Sequence, residues 1–324
     1  MNTLSNSRRR FIALAATLPA LAAAQAPWPT KPIRLVVPFA PGGPADALAR
    51  LVAPPLAEAL KQTVVVENKT GAGGTIGVDS VAKSAPDGSS FAVVPVGNIA
   101  VNPTLVPSLP YKPADLLPVA MLATVENVLV VHADVPARSL KELIELARRR
   151  PGALSFGSPG AGSQAHLAGE LLKVRERLFI IHVPYRGIAP ALNDVLGGQL
   201  TMMFAPQSLA LPHVKSGRLR ALGVASAQRS PLAPDLPTIA EQGLPGFEAV
   251  SWYALMAPAG TPAEIVTRLH AEITKALNQA GLEDKLAAQG MRAGNASPQQ
   301  LAATIRTESE RWAQVIRAQK LQPD

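Results

Sequence analysis

Three short segments of this chain share a design suited to capturing an anion. They are Phe39-Ala40-Pro41-Gly42-Gly43-Pro44, Gly157-Ser158-Pro159-Gly160-Ala161-Gly162-Ser163 and Tyr185-Arg186-Gly187-Ile188-Ala189-Pro190. Each follows a strand-like run and precedes a helix-like pattern. A helix start carries unpaired backbone N–H groups and roughly half a unit of positive charge. Glycine there lets an anion approach the backbone closely. Gly43 with Pro44, and Ala189 with Pro190, have the form of a cap followed by proline at the first helical position, and Ser163 has the form of a cap by itself. Turn chemistry accounts for any one such loop; three in one chain point to a shared ligand. Asp46 reads either as a cap of its own helix or as an acceptor for a donor on the ligand. His166, three residues after Ser163, reads either as a satisfied structural histidine or as a ligand contact.

Other chemistry is thinly represented. His132, His166, His182, His213 and His270 lie far apart with no His-Glu-x-x-His spacing, there is no Gly-x-Ser-x-Gly elbow, and there are 0 Cys. Neither a metal site nor a catalytic nucleophile is specified, and no cofactor is expected. Gly160-Ala161-Gly162-Ser163-Gln164-Ala165 fits a dinucleotide fingerprint, which keeps a nicotinamide-dependent oxidoreductase as the alternative function. Against it, the next strand ends at Tyr185-Arg186 without the acidic residue that would hold a ribose. Gly71-Ala72-Gly73-Gly74 lacks the Lys-Ser/Thr ending of a phosphate loop and reads as a helix start that packs against or lines the cleft. The formal charge of +8 would suit nucleic acid, but the 3 Trp, 3 Tyr and 7 Phe offer few stacking platforms and the basic residues are scattered. Arg148-Arg149-Arg150 ends a predicted helix, where cations offset the dipole.

The elements that must hold these loops alternate. Ile33 to Phe39, Thr63 to Glu67, Phe91 to Val96, Asn127 to His132, Leu154 to Gly157, Phe179 to Val183, Met202 to Ala205, Leu219 to Ala225 and Ser251 to Ala257 read as strands. Helices are expected after Gly43, from Ser139 to Arg150 behind the box Ser139-Leu140-Lys141-Glu142, from Gln164, and from Ala191 to Leu196. Pro54-Pro55 should kink or interrupt the first of them. Thr261-Pro262-Ala263-Glu264 and Ser297-Pro298-Gln299-Gln300 each announce a further amphipathic helix. The class is α/β, doubly wound, with helices on both faces of mostly parallel sheets.

Arg8-Arg9-Arg10 followed by an apolar run from Phe11 to Ala24 reads as a signal peptide, with a twin-arginine route open and cleavage after Ala24. Export to the periplasm follows. The 324 residues minus 24 leave 300, a length that usually divides into two lobes.

Trp28-Pro29-x-Lys31-Pro32-Ile33-Arg34-x-Val36-Val37-Pro38-Phe39-x-Pro41-Gly42-Gly43-x-x-Asp46 resembles the opening of the Bug family, the TctC-like receptors of tripartite tricarboxylate transporters. Further matches include Val66-Glu67-Asn68-Lys69, Ala85-Pro86-Asp87-Gly88, His166-Leu167-Ala168-Gly169-Glu170, His182-Val183-Pro184-Tyr185-Arg186-Gly187 and Gly243-Leu244-Pro245-Gly246. The resemblance implies a two-lobe type II periplasmic-binding fold with the ligand cleft between the lobes. Lobe 1 is then residues 25–127 plus 250–324, and lobe 2 is 128–249. It also implies a monomer that performs no chemistry, binds a small carboxylate or its amide, and passes it to a membrane permease or signals its presence to a sensor.

By that resemblance the ligand carboxylate is held by backbone amides and ordered waters near Phe39, Ala40, Gly42, Gly43, Asp46, Gly160, Gly162, Ser163 and His166. Pro41 and Ser158 belong to the same loops, while Val96, Gly97 and Asn98, together with Arg186 and Gly187, match other cleft-lining segments. Thr201 and Ala205 stand where many members carry acidic residues, and Val96 replaces a frequent small polar residue. Those departures are expected to reshape the part of the pocket that faces the ligand's far end.

Overall fold

The computed structural model describes residues 28–323 apart from Arg186; the predicted signal peptide and its cleavage site lie outside the described residues. In chain order the elements are β1 (Ile33–Val37), α1 (Pro44–Leu60), β2 (Val64–Asn68), α2 (Thr75–Ala82), β3 (Ser90–Pro95), a π turn over Gly97–Val101 that runs into α3 (Asn102–Leu105), β4 (Leu116–Val125) and β5 (Asn127–His132). There follow α4 (Leu140–Arg149), β6 (Ser155–Ser158), α5 (Gln164–Glu176), β7 (Ile181–Pro184), α6 (Ile188–Leu196), β8 (Met202–Pro206), α7 (Gln207–Lys215) and β9 (Leu219–Val224). The chain finishes with β10 (Ser251–Pro258), α8 (Ala263–Leu277), α9 (Ala280–Ala288), β11 (Met291–Ala293) and α10 (Pro298–Gln319).

Two sheets result, one per lobe, in the orders β11-β4-β10-β3-β1-β2 and β7-β6-β8-β5-β9. Each keeps the expected parallel βαβ core: β1 is parallel to β2 and β3, and β6 is parallel to β7 and β8. Antiparallel pairings complete them, through β10 and β11 in the first sheet and β5 with its two neighbours in the second. The chain passes from the first sheet to the second through the single residue Glu126, between β4 and β5, and returns into β10 at Ser251. Asn127 ties the two passages together, its side-chain amide donating to Ala249 O at 3.2 Å and to Ser251 Oγ at 3.4 Å.

Local chemistry sets most element starts. Ser139 caps α4 by accepting from the Glu142 amide, and Leu140, Leu143, Ile144 and Ala147 form its buried stripe. Ser297 and Gln300 form the reciprocal capping box of α10. Elsewhere the structure departs from the reading. The break at Pro54-Pro55 does not occur: α1 is continuous, with Leu48, Val52, Leu56 and Leu60 buried along one face. That burial offsets the backbone hydrogen bonds the prolines remove.

Helix α6 begins at Ile188 with Gly187 as its cap, so Pro190 is its third residue rather than its first. Proline is tolerated there because no amide of the first turn has an intrahelical acceptor. Helix α8 starts one residue later than the Thr261-Pro262 pattern implies, and the Thr261 hydroxyl donates to Pro258 O instead. Among the described residues no helix is long and apolar enough to cross a membrane.

Candidate functional site

Strand register brings the glycine loops to common edges. Val37 at the end of β1 pairs with Asn68 at the end of β2, and β3 runs alongside β1 in the same direction. The loops after these three strands therefore share one edge of the first sheet. In the second sheet Ser158 pairs with Pro184, which sets the loops after β6 and β7 side by side. The Tyr185 amide donating to Ser158 O at 2.9 Å extends that pairing toward Gly187, which caps α6 at φ 127°. Arg186 lies outside the described residues.

The loop after β1 is held by Asp46. Its carboxylate accepts from the Gly42 amide at 2.9 Å, from Arg50 Nε at 3.0 Å and from Asn68 Nδ2 at 2.9 Å. Asn68 Nδ2 also donates to Phe39 O at 3.0 Å, so one side chain of β2 grips both ends of the loop. The Arg50 guanidinium leads the effects that hold the Asp46 carboxyl down to about 2, with the Gly42 and Asn68 donors adding to it against the opposing cost of burial. Of the two readings of Asp46, this geometry matches the one in which it organises its own helix start. Gly43 caps α1 with Pro44 at the first helical position, Gly42 takes φ 87°, and Ala40 and Pro41 are exposed.

In the loop after β6, the Ser163 hydroxyl accepts from the His166 amide at 3.3 Å and donates to Gly160 O at 2.7 Å. The Gly160 amide donates to Ser158 Oγ at 3.1 Å, and the Gly162 amide to His166 Nδ1 at 3.1 Å. Two glycine amides of the anion-site reading are thus spent on the loop's own shape. A helix leaves its first amides without intrahelical acceptors, and Ser163 meets the third of α5, which leaves those of Gln164 and Ala165 without an acceptor in the helix. The Gln164 side chain is 7% exposed, and neither of its amide atoms has a hydrogen-bond partner.

The two sheets meet at these loops. A Cβ placed on Gly74 would lie 2.9 Å from Asn98 Nδ2 and 3.0 Å from Phe39 Cζ, so the three loops of the first lobe converge. Asn98 is fixed by donating to Gly73 O at 3.0 Å while its own carbonyl accepts from Tyr111 at 2.7 Å. Across the lobes, a Cβ on Gly97 would lie 3.4 Å from Gly162 O, and one on Gly162 2.8 Å from Leu105 Cδ2. Phe39, Gly97, Asn98 and the Gly160–Ser163 loop are therefore brought to one place. The Val96 side chain is buried in the apolar core.

Thr201 is not brought there. It exchanges hydrogen bonds with Ser155, at the opposite end of β6 from Ser158, and Ala205 is packed in the core beneath α6 and α7. Their departures from the acidic pattern therefore act on strand pairing and packing, not on a pocket wall as expected. Sequence reasoning missed Gln164, Asn68 and Arg50. Asn68 stood in a quoted segment, and its position at the end of a strand parallel to β1 was the signal that could have assigned it.

Residues 48–321 match the model of the tripartite tricarboxylate transporter family receptor. The chain is 42% identical over 292 residues to Protein BugT of Bordetella pertussis, covering 90% of each. Its structure is similar to that of a Rhodopseudomonas palustris protein solved with adipate, with TM-score 0.79 and 38% identity over 92% of this chain and 100% of the other. It is also similar to MatC from the same organism with bound malate, with TM-score 0.76 and 34% identity over 89% of this chain and 100% of the other.

Proposed function

The chain belongs to the tripartite tricarboxylate transporter receptor family, and from that premise we propose that it is a periplasmic receptor which captures a small carboxylate-bearing solute, or the amide of one, between its lobes. The observation that carries this reading is the convergence of loops from the two sheets, Gly74 against Phe39 and Asn98 in the first lobe and Gly97 against the Gly162 carbonyl of the second. Anions bind where helix dipoles and free amides point together. The relatives solved with adipate and malate carry carboxylates of this size.

In this reading the solute meets the amides around Gly43 and Gln164–Ala165, with Phe39, Gly97, Asn98 and Gly187 lining the cleft. Ser158, Gly160, Gly162, Ser163 and Asp46 hold the loops in shape. The lobes comprise residues 25–127 with 250–324, and 128–249. The protein acts as an exported monomer that releases its signal peptide, performs no chemistry, and hands its solute to a membrane partner.

A thermal-shift panel of mono-, di- and tricarboxylates and their amides tests the proposal, because binding to the native state raises stability by mass action. A stabilising carboxylate or amide is expected. A flat panel, in protein shown by mass spectrometry to carry no co-purified solute, would sink it. Turnover with NAD or NADP would instead favour an enzyme using Gly160 to Ala165.

A further inference from the structure

Beneath the loop after β6 lies a buried group of ionisable side chains that the capture reading does not use. The His166 and His182 rings stack with centroids 3.9 Å apart at 17°, and Phe156 lies against His182 at 4.9 Å. His182 Nε2 is 2.6 Å from Ser158 Oγ. His166 Nε2 is 3.7 Å from Glu170 Oε1, and Lys173 Nζ is 2.7 Å from the same oxygen. Glu170 is 1% exposed. Among the described residues, the ionisable groups placed in this cluster with His166 are Glu170 and Lys173 on its own helix and His182 on β7.

One hydrogen bond decides which ring nitrogen of His166 accepts. The Gly162 amide donates to Nδ1, so Nδ1 bears no proton and the neutral ring carries its hydrogen on Nε2, toward Glu170. Glu170, facing Nε2, favours the same tautomer, and the Nδ1 lone pair holds the Gly162 amide with Gly162 at φ 73°, in the region that glycine favours. Burial would raise the Glu170 carboxyl, but its contacts with His166 and Lys173 outweigh burial and hold it below its ordinary value. The carboxylate is ionised at neutral pH.

We infer that Glu170 is a positioning residue for the solute site, acting through His166 on Gly162, and that this linkage makes solute capture weaken when His166 takes up a proton. The inference rests on the capture reading for its second half only. A proton on Nδ1 replaces an acceptor with a donor opposite the Gly162 N–H, and the loop must leave its shape. Attraction of an anionic solute to the imidazolium is the opposing effect, and the Glu170 carboxylate, already in place as counter-ion, cancels most of it. The stacked His182 limits the pair to one proton, because like charge at that spacing keeps both rings from being protonated together.

Imidazole nitrogen NMR on the wild-type protein without solute tests the first half, with no variant that could fail to fold. The Nε2–H form of His166 is expected at pH 7.5; the Nδ1–H form overturns the positioning role. Titration of malate and adipate from pH 8 to pH 5 tests the second half. Affinity should fall at least about tenfold between pH 8 and pH 5, and Glu170→Gln, which removes the counter-ion, should move the midpoint to lower pH. A flat wild-type profile, or an unchanged midpoint in a folded Glu170→Gln protein, overturns the linkage. If neither acid binds at pH 7.5 while the tautomer is as expected, the capture reading fails for these acids and the positioning role stands.

Discussion

At the scale of single residues, the loop after β1 depends on one carboxylate with three donors. Asp46 is buried and accepts from Gly42, Arg50 and Asn68. Its folded value of about 2 lies below the free value of 3.8, so the stabilisation is complete above 3.8 and disappears as the pH falls through about 2. Asp46→Asn should cost about 1 to 3 kcal/mol at pH 7, because it leaves a donor unmatched in a buried place. The difference in melting temperature from wild type should close as the pH approaches 2. A constant gap across that range would show that the charge is not what holds the loop. None of this could be read from one strand and one helix: Asp46 was legible as a residue of a helix start, but its partner Asn68 is reached only through the β1–β2 pairing.

At the scale of elements, what was legible is what is local. Ser139, Ser163 and Ser297 were read as caps from the few residues around them, and all three accept the expected amide. The strand β4 was missed although it is 10 residues long. Pro118 interrupts its pattern, and its partner β10 lies far along the chain, so nothing near it in sequence announces the pairing. For the same reason Thr201 and Ala205 were assigned to a pocket wall: the strand was recognised, but not that Thr201 lies at its far end from the cleft, nor that Ala205 turns to the face covered by α6 and α7.

The caps permit a paired prediction. Ser163→Ala and Ser297→Ala should each cost about 1 kcal/mol in urea unfolding. Only Ser163→Ala should weaken solute binding, since it frees Gly160 O and the His166 amide beside the cleft while Ser297 serves α10. Equal effects on affinity, read by titration calorimetry, would remove the α5 start from the solute site.

At the scale of the molecule, the two lobes are not independent bodies. The largest apolar cluster takes in Val36, Ala92 and Val94 of the first sheet, Leu129, Phe156 and Phe204 of the second, and Leu301, Trp312 and Ile316 of α10. Beside the crossing strands, Glu126 accepts from Arg292 of β11 at 2.8 Å and from Gln207 of α7 at 3.2 Å, so groups from both lobes meet on the residue that joins them. A core shared in this way couples the lobes thermodynamically, even where a cleft lets them move. The protein should therefore unfold in a single calorimetric transition whose van't Hoff and calorimetric enthalpies agree. Trp312 is 0% exposed and donates to Glu308 at 2.6 Å, so Trp312→Ala should cost about 3 to 5 kcal/mol. That loss should lower the one transition as a whole without splitting off a second. Two separated transitions in the variant would mean that α10 fastens one lobe alone, and that closure on a solute must be transmitted by the crossing strands without help from the core.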